Sequence, residues 1–115
     1  MPHLRLEHSQ NIPVEGLLHE LDQILASQPS VQPEQIKSRA IPIQQAIVGG
    51  QPGRFFLHLQ LSMKEGRSAS EIEVMLDQLH ARLRQFSVDQ AAPVAVSTHV
   101  VELKASHYRT QNITA

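Results

Sequence analysis

Apolar residues recur along this chain with two different periods. Over residues 3–8 they alternate: Leu4, Leu6 and His8 fall on one side, and His3, Arg5 and Glu7 on the other. That is the period of a strand. From residue 11 the spacing changes. Leu17, Leu18, Leu21, Ile24 and Leu25 form one stripe at helical spacing, with Glu20, Asp22 and Gln23 mostly outside it. Asn11 is a candidate N-cap, with Pro13 in the first turn. The helix is expected to end near Ser27-Gln28, because Pro29 disfavours helix in the residue before it. Residues 29–35, with Pro29 and Pro33, read as a connection.

Residues 36–48 are extended but irregular, and Pro42 predicts a bend, a bulge or an edge position there. Gly49-Gly50-Gln51-Pro52-Gly53 is the strongest turn signal in the chain. Residues 55–63 give the clearest strand, with Phe55, Leu57, Leu59, Leu61 and Met63 on one face and Phe56, His58, Gln60 and Ser62 on the other. A second helix is announced by Ser68-Ala69-Ser70-Glu71, which fits a capping box, as does the register starting at Ser70. Ile72, Met75, Leu76, Leu79, Leu83 and Phe86 line its apolar face, and acids (Glu71, Glu73, Asp77) precede bases (Arg82, Arg84), as the helix dipole prefers. Residues 94–103 form a β-branched strand, and residues 104–115 a polar tail.

The order is β-α-β followed by β-α-β, divided near residue 50, so that a single domain spans residues 1–115 in two halves of about 1–50 and 51–115. Two parallel βαβ units predict an α+β fold: one four-stranded sheet with both helices on one face. The other face is then bare. Its candidate residues, His3, Arg5, His58, Gln60 and His99, are neither uniformly polar nor uniformly apolar. Burial against sister chains accounts for such a mixture, so an oligomer is expected.

Composition narrows the function. With 115 residues, Lys+Arg 10 against Asp+Glu 11, and a net charge of −1, there is no field to recruit a polyanion. Aromatic content of 3% with no Trp leaves no platform for stacking bases. Cysteine is absent, which excludes disulfides, thiolate catalysis and Cys-based zinc sites. No apolar run is long enough to cross a bilayer, and residues 1–7 lack a signal-peptide stretch, so a cytoplasmic protein is expected.

Three residues are candidates for chemistry. Removal of Met1 would leave Pro2 as a terminal secondary amine, and an apolar or cationic surrounding would lower its pKa until it can act as a base near neutral pH. Many chains begin Met-Pro with no such role. Arg67, in Lys64-Glu65-Gly66-Arg67-Ser68, sits between the best strand and the best helix, where a guanidinium can hold a carboxylate in a fork; it reads equally as a solvated loop arginine. Arg39 lies inside a strand-like segment, where it needs a partner or a pocket, or serves as an edge charge against aggregation. Arg54, after the Gly-rich turn, is weaker. Of seven histidines none forms a local ligand pair, although His3, His58 and His99 could converge on the bare face. No metal site is expected.

These features are more specific together than apart. Met-Pro-His-Leu at residues 1–4, Ile36-Lys37-Ser38-Arg39-Ala40, Phe56-Leu57-His58-Leu59-Gln60-Leu61, Gly66-Arg67-Ser68 and Tyr108-Arg109-Thr110-Gln111-Asn112-Ile113 run nearly from end to end. In order and spacing they resemble the tautomerase superfamily, and within it the 5-carboxymethyl-2-hydroxymuconate Δ-isomerases; Glu65-Gly66-Arg67-Ser68 also resembles the strand–helix junction of 4-oxalocrotonate tautomerase. The resemblance implies a tautomerase fold, a homotrimer, and a cofactor-free isomerase of aromatic-compound breakdown acting on a di- or tricarboxylate dienol. Pro2 matches the catalytic proline, and Arg39 and Arg67 match arginines that bind substrate carboxylates. The chain departs from the family at Ile41, where a histidine is usual, at Gln111-Asn112 in place of paired asparagines, and at Thr114-Ala115. Alternatives of another kind are a non-catalytic, oligomeric ferredoxin-like binding module and a relative that keeps the fold without the activity.

Overall fold

The structure, a computed structural model, describes residues 1–114. Strand β1 (His3–Ser9) leads to helix α1 (Glu15–Ala26); after a 3-10 turn at Pro33–Gln35 come β2 (Lys37–Ile43), the short pair β3 (Ile47–Val48) and β4 (Gln51–Pro52), then β5 (Phe55–Lys64), helix α2 (Ala69–Val88), β6 (Val94–Leu103) and a 3-10 turn at Ala105–His107. The main sheet has the order β2-β1-β5-β6. β1 runs parallel to β2, and β5 parallel to β6, each pair joined by its helix. The two halves meet along antiparallel β1 and β5, where Leu6 faces Leu59. The α+β architecture expected from the pattern is the one observed.

The core lies between the helices and one sheet face. Alternation along the strands buries Leu4 and Leu6 of β1 with Leu57, Leu59, Leu61 and Met63 of β5; helical spacing supplies Leu17, Leu21 and Leu25 from α1 and Met75, Leu79 and Leu83 from α2. Gln28, buried at the end of α1, donates to the Ile24 carbonyl (3.0 Å) and to Gln78 Oε1 (2.7 Å), so its amide is satisfied while it links the helices. Pro42, which lacks an N–H, sits in an outermost strand; β2 is regular there and neither bends nor bulges. Gly49 and Gly50, at φ +57° and +78°, turn β3 into β4.

The start of α1 differs from expectation. The helix begins at Glu15 after Val14, and no side chain caps it. Asn11 lies in a turn in which the Ile12 N–H reaches the Ser9 carbonyl (3.4 Å). Ile12 and Val14 are both buried, and drawing them into the core carries the chain past the local cap signal before the helix can start. At α2 the first of the two capping registers is used: Ser68 Oγ accepts the Glu71 N–H at 3.2 Å. The polar tail is not a free end. Its 3-10 turn is tied by the Ala105 N–H to Glu65 Oε2 (2.9 Å), which folds the following residues back over the start of β1.

Candidate active site

The start of β1 is fixed by its neighbours. Pro2 is buried, and its carbonyl accepts the Lys37 N–H at 3.0 Å, clipping it to β2. Antiparallel pairing sets His3 opposite Ser62, so the end of β5, with Lys64, arrives beside the chain's first residues. Beyond Lys64 the backbone turns sharply at Gly66, whose φ of +117° is open only to glycine without strain. That turn delivers Arg67. Its Nε donates to Ser30 Oγ and its Nη2 to the Ser30 carbonyl, both at 3.0 Å, so the connection after α1 orients the guanidinium.

A cavity of about 260 Å³ opens here, lined by Met1, Ser30, Gln35, Lys64, Arg67 and Thr110 among others. The lining contains cations and no carboxylate. The amine of Met1 donates to the Gln35 carbonyl at 3.4 Å. Partial burial, then the charges of Lys37 and Lys64, hold this amine below its ordinary pKa. The corner therefore shifts the amine toward its uncharged form next to groups that attract a carboxylate.

Next to the cavity, a second group of side chains links three elements. His3 Nε2 lies 2.9 Å from the Tyr108 hydroxyl, and His3 Nδ1 lies 3.2 Å from Arg39 Nη1. The Lys64 ammonium stands over the Tyr108 ring, 5.9 Å from its centre. Burial and the nearby charges of Arg39, the N-terminus and Lys37 lower the His3 pKa, which favours the neutral ring.

Of the sequence-predicted residues, Arg67 lines the cavity, while Pro2 is buried behind Met1, which lines it. Arg39 does not line the cavity; it stands on the open sheet face and reaches the corner through His3. Arg54 lies at the opposite end of the sheet. His3, His58 and His99 do not converge: His3 turns to Tyr108, while His58 and His99 stack with ring centres 5.3 Å apart. Among the described residues no three His, Cys, Asp or Glu side chains group as metal ligands, and no helix is long and apolar enough to cross a membrane. Sequence reasoning assigned no part to Lys37, Lys64, Tyr108 or Thr110. The available signals were the chain's single tyrosine standing in a polar tail and its place, with Thr110, in the family-like stretch 108–113.

Comparison with known proteins bears on the family and the fold. The family model described as 5-carboxymethyl-2-hydroxymuconate isomerase matches residues 2–115. The chain is similar to the crystal structure of a 5-carboxymethyl-2-hydroxymuconate isomerase from Deinococcus radiodurans R1, with 25% identity, a TM-score of 0.87, and coverage of 97% of this chain and 90% of that one. It shares its fold with a 5-carboxymethyl-2-hydroxymuconate delta-isomerase (17% identity, TM-score 0.80, 97% and 88% covered) and with a fused 4-OT wild-type symmetric trimer (15% identity, TM-score 0.77, 95% and 93% covered). Among curated proteins there was no match.

Proposed function

The chain belongs to the 5-carboxymethyl-2-hydroxymuconate isomerase family, and from that premise we propose that it moves a proton within a dienol carboxylic acid without a cofactor. The enzyme is an isomerase of the tautomerase kind. With Met1 removed, the Pro2 nitrogen becomes a secondary amine, one residue along from the amine whose pKa the corner already lowers. In its neutral form it takes the hydroxyl proton of the dienol. The oxygen lone pair forms the ketone carbonyl, the conjugated double bonds shift, and the proton on nitrogen is delivered to the far carbon, giving the unsaturated ketone. No atom is gained or lost. Arg67, with Lys64 beside it, holds the carboxylates of a di- or tricarboxylate, and fixed cations stabilise the charge that builds on oxygen. Arg39 contributes from the sheet face. The bare face, with half-buried Phe56, His58, Gln60 and Ser62, is covered by sister chains in a cytoplasmic homotrimer.

The observation that carries this reading is the amine-lowering corner next to a cation-lined cavity that has no carboxylate. The test is Pro2→Ala, with Met1 removal verified by intact mass in both proteins. Stopped-flow ultraviolet assay of 2-hydroxymuconate-type dienols is expected to show a loss of about 10²–10⁴-fold, the usual share of a general base. Undiminished turnover would remove the assignment.

A further inference from the structure

We propose that Tyr108 is a substrate-binding hydroxyl, its hydrogen reserved for a carboxylate oxygen by a one-way chain of donors from Arg39 through His3. The assignment rests on the reading that the Lys64–Arg67 cavity takes a carboxylic acid, and adds to it a third kind of contact.

The direction of the chain follows from what each group can do. A guanidinium has donors only, so at 3.2 Å Arg39 Nη1 donates and His3 Nδ1 accepts. A neutral imidazole that accepts at Nδ1 carries its proton on Nε2. That N–H points at the Tyr108 oxygen 2.9 Å away, so the phenol accepts. The alternative tautomer would set an Nδ1–H against a guanidinium N–H with no acceptor between them. Double protonation would do the same and add a like charge; the lowered His3 pKa agrees with its exclusion. The Tyr108 hydrogen is therefore not consumed by His3, and among the described residues the hydroxyl has no other partner. An oxygen that accepts one hydrogen bond is polarised toward donating another.

The position of the ring says which ligand suits this donor. Lys64 stands over its face and also lines the cavity, as does Thr110 two residues further on. Tyr108 itself does not line the cavity, but a carboxylate drawn to Lys64 comes close to the ring that carries the hydroxyl. Arg39 is then a positioning residue as well as a cation: it sets the tautomer of His3, and His3 sets the phenol.

Two measurements test this, neither of which needs turnover. In the unliganded protein, nitrogen–proton correlation spectra of the His3 ring, assigned by their loss in His3→Gln, are expected to show a protonated Nε2 and a bare Nδ1. A protonated Nδ1 overturns the proposal, because Tyr108 would then donate to His3. Calorimetric titration with adipate, a saturated dicarboxylate, is expected to show binding that Tyr108→Phe weakens about tenfold, the value of one hydrogen bond to a charged group. The variant keeps the ring beneath Lys64, so loss of the cation contact does not contribute. Equal affinity in Tyr108→Phe, or no binding by the parent, overturns it. On a dienol substrate Tyr108→Phe is expected to raise KM with kcat nearly unchanged; a fall in kcat alone would contradict a binding role. Failure of the parent to isomerise dienols, with Tyr108-dependent adipate binding intact, would count against Pro2 as a base and leave Tyr108 in place.

Discussion

At one end of the sheet the start of β1 meets the end of β5; at the other, the start of β5 meets the end of β1. The duplicated βαβ order makes these corners counterparts, each with a strand beginning beside a strand-to-helix junction. Their side chains have diverged. The first corner holds Met1, Lys64 and Arg67 around a cavity of about 260 Å³. The second has a cavity of about 110 Å³ lined by Ser9, Gln10, Asn11, Arg54 and Phe55 among others, and its strands are tied by Ser9 Oγ accepting the Phe56 N–H at 3.1 Å. A junction of Gln10 and Asn11 carries no charge, and Arg54 follows an internal peptide with no amine to tune. One scaffold thus offers two similar corners, and the proposed chemistry belongs to the one whose lining brings cations and an amine together.

The widest difference between the corners would vanish if they did not share one scaffold, so the first prediction concerns the seam. Leu59→Ala and Leu6→Ala remove facing, fully buried side chains from the two central strands. Each is expected to destabilise the protein by about 2–5 kcal/mol, with one cooperative transition by calorimetry. Two separate transitions would mean that the halves fold as independent units, and the corners could no longer be compared as parts of one frame.

The second prediction compares the corners directly. Arg67→Ala is expected to lower kcat/KM on a dienol acid by about ten- to a hundredfold, the loss of a charged hydrogen-bonding group. Arg54→Ala is expected to leave it unchanged. Equal effects would erase the functional asymmetry, and a loss from Arg54 alone would move the site to the other end of the sheet.

Where that asymmetry could be read in advance depended on range. Strands β5 and β6 and helix α2 combine strong periodicity with local punctuation, and the sequence placed both strands within a residue of their observed bounds and the start of α2 at its capping box. Arg67 was visible for the same reason, since it stands at a strand–helix junction. The start of α1 was misread because burial of Ile12 and Val14, a tertiary effect, outweighs a cap signal at Asn11. Tyr108 could not be assigned a role locally: its partner His3 is 105 residues away, and no periodicity connects a tail to the first strand. Lys64 reads as the polar end of a strand until antiparallel pairing brings it beside Met1. Residue types at the site were legible; their convergence was a property of topology.

The helix starts repeat the contrast on a smaller scale. α2 follows the site junction and is capped by Ser68; α1 follows the silent junction and has no side-chain cap. Ser68→Ala is expected to cost about 1 kcal/mol by chemical denaturation. Replacing Val14 by Ser, which supplies a cap hydroxyl at the cost of a buried valine, is expected to yield no gain. A neutral Ser68→Ala would show that the cap hydrogen bond adds nothing to stability and that the two helix starts do not differ in this respect.

The smallest effect is a dependence on pH that belongs to one corner only. The His3 pKa is lowered in the folded chain, first by burial and then by Arg39, the N-terminus and Lys37. Above the ordinary histidine value of about 6.5 the ring is neutral both folded and unfolded, so its full contribution is present. As pH falls below that value the unfolded chain takes up a proton that the folded chain refuses, and stability declines until the folded ring is protonated too. Melting temperatures measured across this range should therefore fall more steeply toward acid in the parent than in His3→Gln. Arg39→Ala, which takes away the largest of the charges, should flatten the slope partway, and Arg54→Ala at the far corner should leave it as it was. A parent slope no steeper than that of His3→Gln would mean that the charges around His3 are screened by solvent, and that the difference between the corners lies in shape and hydrogen bonding with little help from electrostatics.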